Sequence, residues 1–182
     1  MISISFIIPT FNRVDTIDHA VLSAIKCGKD YDCDFEIIIV DDASNDSTFE
    51  SINYTFKSLI TKKKIKIIKN PLNLGVVASR EIAIKNSSKN WLTFLDSDNV
   101  LIPENFKKCL NVIINNKYIS IFFFRTLDLE TRNLIGGIQD KESLLSFKSL
   151  LNHGTPGECI IVTRRQNLII NLFENELRGF EI

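Results

Sequence analysis

Four apolar runs alternate with segments whose apolar residues recur every three to four positions: "ISISFII" at 2–8, "FEIIIVD" at 35–41, "IKIIK" at 65–69 and "WLTFLD" at 91–96. A run that is apolar on successive residues has no face to offer water, so each predicts a strand covered on both sides. Helical crossovers between such strands predict a mainly parallel sheet, because a parallel neighbour is reached only by a long return connection. Helices are expected from Val14 to about Lys26, with Val14, Ile17, Val21 and Ile25 on one face, and from about Asp46 to Ile60, with Phe49, Ile52, Phe56 and Leu59. Two more are expected, from about Val76 to Lys85 and after Pro103; the last carries Phe106, Leu110, Ile113 and Ile114. Asn12 is the expected N-cap of the first helix and Gly28 its stop, while Ser44 or Asn45 would cap the second.

The later part changes character. "YISIFFFRTLDLETRNLIGG" reads as a strand, a turn and a hairpin, followed by a short helix near Lys141 to Leu151 and a strand "ECIIVTR". No internal repeat, low-complexity tract or linker interrupts the 182 residues, which predicts one α/β domain of the nucleotide-binding kind, a Rossmann-like sheet flanked by helices.

Composition narrows the partners. Twenty-two basic residues balance twenty-two acidic ones, so no net field draws the chain to nucleic acid, and any polyanion must be met locally. Cys27, Cys33, Cys109 and Cys159 form no C-x-x-C pair and have only His19 and His153 as nitrogen partners. That pattern argues against structural zinc and for free thiols in a reducing, cytoplasmic compartment. "MISISFIIPT" has no basic n-region or cleavage site, and no apolar run approaches the ~18 residues of a membrane span.

In open α/β sheets, ligands bind beyond the carboxyl ends of the strands. The unusual residues of this sequence lie there: "PTFNR" after the first strand, "DDASND" after the second, "NPLNLG" after the third and "DSDN" after the fourth. Pro9 fixes the chain where it leaves the sheet, and Thr10, Asn12 and Arg13 offer hydrogen-bonding groups. Asp41 and Asp42 are acceptors suited to an imide N–H or to ribose hydroxyls. Arg80, one helical turn past Gly75, could approach a diphosphate. If "WLTFLDSDNV" stays extended, Asp96 and Asp98 point the same way and Ser97 the other. Two converging carboxylates are costly unless a cation offsets their repulsion, which suggests a metal site. Taken singly, Asp42, Ser44 and Asn45 are as readily helix caps, and Arg80 a solvated helix residue; their joint appearance at consecutive strand ends favours a site.

The motifs "FIIPTFNR", "EIIIVDDASNDST", "NLGVVASREIAI", "WLTFLDSDNVLIPENF" and "RGFE", in that order over nearly the whole chain, resemble the inverting, nucleotide-sugar-dependent glycosyltransferases of family 2, with the A-type glycosyltransferase fold. The resemblance implies that Pro9, Thr10, Asn12 and Arg13 form the first donor-binding loop. Asp41 and Asp42 would lie near base and ribose, and Arg80 near the donor nucleotide. Asp96 and Ser97 would border the donor, with Asp98, beside Asp96, the ligand of Mn²⁺ or Mg²⁺. Glu181 aligns with the family's acidic pair that supplies the catalytic base, although Ile182 stands where a second carboxylate is usual, as Asn99 does after the D-x-D. About residues 1–100 would then be the nucleotide-sugar half and about 101–182 an acceptor-side half. Because family members generally continue past this point, the latter is expected to be incomplete. The implied partners are a nucleoside diphosphate sugar, UDP-linked, and a saccharide or lipid-linked saccharide acceptor. The implied setting is bacterial polysaccharide or glycoconjugate assembly in the cytoplasm, at the inner face of the plasma membrane.

Other readings leave more of the sequence unused. "FLDSDNV" also fits the first motif of a haloacid-dehalogenase-type phosphatase, but no adjacent carboxylates follow Asp98. A nucleotidyltransferase would open with a glycine-rich phosphate loop, and none is present. A catalytically degenerate nucleotide-sugar-binding module is favoured by Asn99 and Ile182. "KKKIK" at 62–66 could touch an anionic membrane; more often such a run is solvated and guards an edge strand. Trp91 and the phenylalanines of "SIFFFR" are expected in the core. Arg164 and Arg165 could reach a diphosphate or start a helix.

Overall fold

In the computed structural model, residues 1–116, 118, 121–127, 133–135 and 159–167 are described. β1 (Ser3–Thr10), β2 (Asp34–Asp41), β3 (Ile65–Lys69) and β4 (Trp91–Phe94) are the four runs read from the sequence. They are joined by α1 (Ile17–Asp30), the pair α2 (Thr48–Thr55) and α3 (Lys57–Thr61), and α4 (Val76–Lys85). After α5 (Pro103–Asn115) come β5 (Ile121–Leu127), β6 (Leu134–Ile135) and β7 (Cys159–Arg164). The sheet order is β3-β2-β1-β4-β7-β5-β6. The first four strands are mutually parallel, whereas β7 runs antiparallel to both β4 and β5, and β5 and β6 form the expected antiparallel hairpin.

The continuous apolar character of β1 and β2 follows from burial on both faces. Ile4, Phe6, Ile8, Ile37 and Ile39 pack with Ile17, Val21 and Ile25 of α1, Ile52 of α2 and Phe106, Leu110 and Ile113 of α5. The intervening Ile7, Ile38 and Val40 join Leu92 of β4 and Ala83 and Ile84 of α4 in a second cluster. Trp91 and Phe122 lie in the larger core, as expected. Ile114, expected on the buried face of α5, is 53% exposed, because that face is served by a three-four spacing that ends at Ile113.

Helix boundaries differ from expectation for identifiable reasons. α1 begins at Ile17, leaving Val14 outside it, and Asn12 is not its cap: Asn12 takes φ +51° and donates its N–H to Ser44 Oγ. Gly28 does not stop α1 but lies inside it, where a Cβ would come within 2.4 Å of the Phe35 ring; glycine is needed there for close helix–strand approach. The segment expected to be one helix from Asp46 to Ile60 is two, broken at Phe56, whose buried ring is the C-cap of α2 and whose C=O starts the turn into α3. Neither Ser44 nor Asn45 caps α2; the Asp46 carboxylate accepts the Thr48 N–H at 2.9 Å instead. The lysine run leads into β3, the edge strand of the described sheet, and Lys62, Lys63 and, within the strand, Lys66 are exposed. The short helix expected near Lys141 to Leu151, together with His153 and Glu181, lies outside the described residues.

Candidate active site

The ends of β1, β2 and β3 lie side by side, with Thr10 opposite Asp41 and Asp41 opposite Lys69 in the parallel register. Pro9 and Thr10 are both buried within β1, Pro9 one residue before the strand ends. The loops that follow are stitched to each other. Asn12 N–H donates to Ser44 Oγ at 2.9 Å, Asn45 N–H to Asn12 Oδ1 at 3.0 Å, and Arg13 N–H to Thr48 Oγ1 at 2.9 Å. Asp46 joins them by accepting from Val14 and Thr48. Burial works to raise the Asp46 carboxyl, but these hydrogen bonds outweigh it and hold the group below the ordinary carboxylate range. The side chain of Arg13 is thereby presented from a braced loop.

Asp42 has a different task from its neighbour. It is buried, and both oxygens are occupied: Oδ1 accepts from Asn70 Nδ2 at 2.7 Å and from Leu74 N–H at 2.9 Å, Oδ2 from Gly75 N–H at 2.8 Å. It ties the loop after β3 to the end of β2 and so fixes the start of α4. Asp41 is fully buried; its Oδ2 accepts the Ser44 N–H at 3.3 Å and lies 4.0 Å from Lys69 Nζ, while Oδ1 has no hydrogen-bond partner. Thr10 Oγ1, also buried, has none either. Orphaned buried acceptors cost about 1–3 kcal/mol each, and adjacent ones at the end of a sheet mark where a ligand would repay them.

The D-x-D segment is not extended. β4 ends at Phe94, and Asn99 N–H closes a turn on Asp96 C=O at 3.0 Å, so the period-two argument for aligned carboxylates does not apply. The turn nonetheless leaves both side chains half-exposed, with Ser97 buried between them. Each carboxylate meets an arginine from another segment, one from α4 and one from the loop after β1. Arg80 of α4 donates to Asp96 Oδ1 at 2.7 Å with its guanidinium over the Phe94 ring, and Arg13 Nε lies 3.6 Å from Asp98 Oδ2. Five expected site residues, Arg13, Arg80, Asp96, Ser97 and Asp98, are thus gathered at one edge, beside Thr10, Asn12, Asp41 and Asp42.

Two half-exposed carboxylates at one edge, each with one oxygen turned to an arginine and the other not, are the hard oxygen donors that a divalent cation takes. Among the described residues, no cluster of three or more His, Cys, Asp or Glu side chains could hold a metal ion unaided. Arg164 and Arg165 cannot contribute to this edge. Arg164 pairs with Trp91 at the opening of β4, stacked 4.5 Å over its ring, and Arg165 donates to Asn90 C=O and Ser87 Oγ at the far end of the sheet.

The profile of the family described as "Glycosyl transferase family 2" matches residues 5–168. The chain belongs to glycosyl transferase family 2. Among its relatives, this family 2 chain is 25% identical over 162 residues to the Escherichia coli UDP-Glc:alpha-D-GlcNAc-diphosphoundecaprenol beta-1,3-glucosyltransferase WfgD, covering 88% of this chain and 60% of that protein. The chain spans about half the length of the curated relatives it matches. Its fold is that of S. aureus TarS 1-349, solved in complex with UDP: TM-score 0.69, 20% identity, 90% of this chain and 47% of that one. It is also that of the mannosyltransferase PcManGT from Pyrobaculum calidifontis, solved with GDP-Man and Mn²⁺: TM-score 0.63, 12% identity, 90% of this chain and 44% of that one. These likenesses bear out the A-type glycosyltransferase fold read from the motifs.

Sequence reasoning missed Lys69 and Ser79 at this edge of the family 2 chain, and gave Asn70 only as part of "NPLNLG", without its partners. Asn70 and Ser79 are buried and linked to each other and to Asp42. "KNP" at 69–71 carried a signal, since a lysine and an asparagine ending a strand on the binding edge need polar partners. Asp46 was read as the end of the polar run after β2 and the start of a helix, not as the brace between the two loops. No helix among the described residues is long and apolar enough to cross a membrane.

Proposed function

We propose that this family 2 chain carries the donor site of a metal-dependent inverting glycosyltransferase. It would move a sugar from a nucleoside diphosphate, UDP-linked, to a hydroxyl of a saccharide or lipid-linked saccharide acceptor. The observation that carries the reading is the Arg80–Asp96 and Arg13–Asp98 pairing at the edge where Thr10 and Asp41 leave buried acceptors unmatched. Two carboxylates and two guanidiniums at one edge suit a ligand with both a bound cation and anionic oxygens.

In this reading Asp98 and Asp96 would hold Mn²⁺ or Mg²⁺, which supplies Lewis-acid neutralisation of charge on the departing diphosphate. Arg80 and Arg13, freed from the carboxylates, turn to phosphate oxygens. Thr10 and Asp41 meet the base, and Asp42 keeps the loop of Gly75 in place beneath it. A carboxylate on the opposite side of the sugar must take the acceptor hydroxyl's proton as that oxygen attacks the anomeric carbon, and Glu181 is assigned that role by its place in "RGFE". Direct displacement inverts the anomeric centre. The acceptor class follows the named activity of WfgD, and the setting at the cytoplasmic face of a membrane follows the family resemblance of the motifs.

The test is transfer from UDP-glucose and UDP-N-acetylglucosamine to a diphosphoundecaprenol-linked saccharide, with product configuration read by NMR. Inverted product, abolished by Glu181→Gln with UDP affinity intact, is expected. Tight donor binding without turnover would make the chain a degenerate binding module, and phosphate release from phosphomonoesters without sugar transfer would overturn the reading.

A further inference from the structure

The charges of this chain balance overall but not locally. Residues 57–85, from the start of α3 to the end of α4, hold eight basic side chains and a single acidic one, Glu81, which is itself paired with Lys85. Lys57, Lys62, Lys63 and Lys66 are exposed, and among the described residues the first three meet no carboxylate. Lys66 donates to the neutral Asn86 amide at 2.6 Å, so its charge too is uncompensated. These lysines flank β3, the outer strand of the described sheet. The same segment carries an apolar cluster: Leu72, Leu74, Val76 and Val77 are 58%, 45%, 49% and 43% exposed, four large apolar side chains within six residues, while the other exposed ones among the described residues stand singly along the chain. A slack loop does not account for them, because Leu74 N–H and Gly75 N–H are bonded to Asp42 at 2.9 and 2.8 Å, which pins the backbone while the leucine side chains stay in water. Single exposed apolar residues need no explanation, whereas a fixed cluster beside uncompensated positive charge does.

We propose that the β3 edge, with Lys62, Lys63 and Lys66, and the loop of Leu72 and Leu74 form a surface that docks on an anionic phospholipid membrane; the inference rests on the lipid-linked acceptor reading above. Lysine ammoniums are drawn to the negative surface potential of such a membrane, and leucine side chains gain by leaving water for the boundary between headgroups and acyl chains. The outer backbone edge of β3 must stay hydrated, so the contact is shallow: the strand lies at headgroup level and only the loop reaches deeper. β3 ends at Lys69 beside Asp41, so the loop that follows borders the candidate active site. Docking there holds that edge of the site against the layer from which a lipid-linked saccharide projects. A nucleic acid would be drawn to the lysines as well, but its phosphates offer the leucines and valines nothing.

The experiment is co-sedimentation of the full chain, without nucleotide, with vesicles of equal parts phosphatidylglycerol and phosphatidylcholine and with vesicles of phosphatidylcholine alone. Wild type is expected to bind the anionic vesicles about tenfold or more tightly than the neutral ones, and less so as salt rises. Lys62→Glu with Lys63→Glu should weaken that binding by about tenfold or more, and Leu72→Ser with Leu74→Ser by about tenfold. Lys26→Glu with Lys29→Glu makes the same charge change at exposed positions of α1 and should weaken it by less than about threefold. An equal loss in the α1 pair would show that net charge alone draws the protein, and binding unaltered by the leucine changes would show a contact through lysines only; either result overturns the docking surface. Wild type that ignores both vesicles but binds single-stranded RNA overturns it in favour of a nucleic-acid surface. UDP titration in solution tests the donor reading separately, and there Lys62→Glu with Lys63→Glu is expected to match wild type. No vesicle binding with UDP binding intact overturns the docking surface alone, whereas loss of UDP binding in wild type removes the reading on which it rests.

Discussion

Gly75 donates its N–H to Asp42 Oδ2 at 2.8 Å from a backbone at φ +88° and ψ 163°, a conformation open to glycine alone. One buried carboxylate just past the end of β2 therefore sets where α4 begins, and with it where Arg80 meets Asp96 at 2.7 Å. Asp42→Ala would remove an acceptor from three donors, leaving Asn70 Nδ2 with Ser79 Oγ, Gly75 N–H with Asn73 Oδ1, and Leu74 N–H without that bond. It should lower unfolding free energy by about 2–3 kcal/mol in urea titration and weaken UDP binding through misplacement of Arg80. Gly75→Ala meets no atom within 4 Å, so its cost is conformational, about 1–3 kcal/mol, and its effect on UDP should follow the same direction.

Ala43 stores strain at the same edge. It sits at φ +62° between Asp42 and Ser44, where a Cβ costs about 1–2 kcal/mol. Ala43→Gly should raise stability by about 0.5–1 kcal/mol after the added chain entropy, without loss of UDP affinity. A lower melting temperature would show that the methyl contributes packing that outweighs its strain.

The long runs were legible because burial on both faces of β1 and β2 leaves a continuous apolar signature, and the residues that follow the strand ends, Arg13, Arg80, Asp96, Ser97 and Asp98, lie together at one edge of the sheet. What sequence could not convey was which polar residue bonds to which. Asn12 and Ser44 look like helix caps in isolation, yet they bond to each other across 32 positions. Asp41 and Asp42 are adjacent and chemically identical, but one is saturated by the loop after β3 and the other keeps an oxygen unmatched. Phe56 fitted the helical spacing of its neighbours, and the break there comes from burial of its ring, a tertiary effect. Lys69 read as the last residue of a strand, since its register against Asp41 exists only in the folded sheet.

Gly28 gives a packing test. Alanine would gain about 1 kcal/mol of helix propensity, but a Cβ 2.4 Å from Phe35 Cδ1 forces the buried ring to move at about 1–3 kcal/mol. Gly28→Ala should therefore melt lower than wild type, and Phe35→Leu in that background should recover part of the loss. Additive penalties in the double variant would show that the two residues do not collide.

Thiol chemistry should follow burial. Cys27 is pushed up to about 12, first by desolvation and then by the charge of Asp30, and Cys109 to about 12 by desolvation. At pH 8 roughly one molecule in 10⁴ would carry either thiolate, so iodoacetamide should leave both unmodified in the native chain and label both in denaturant, as read by peptide mass spectrometry. The unfolded chain ionises these thiols near 9.0, so their protonated burial adds stability that persists below pH 9 and is lost as pH rises toward 12. Rapid native labelling of Cys27 at pH 8 would contradict this.

The measurement closest to the centre of the account is calorimetric titration of the full chain with UDP, with and without Mn²⁺, in wild type and Asp98→Ala. If Asp98 and Asp96 grip a cation shared with the diphosphate, Mn²⁺ should tighten wild-type binding by about tenfold or more, and Asp98→Ala should abolish that gain. Equal affinity with and without the metal, unaltered by Asp98→Ala, would contradict it.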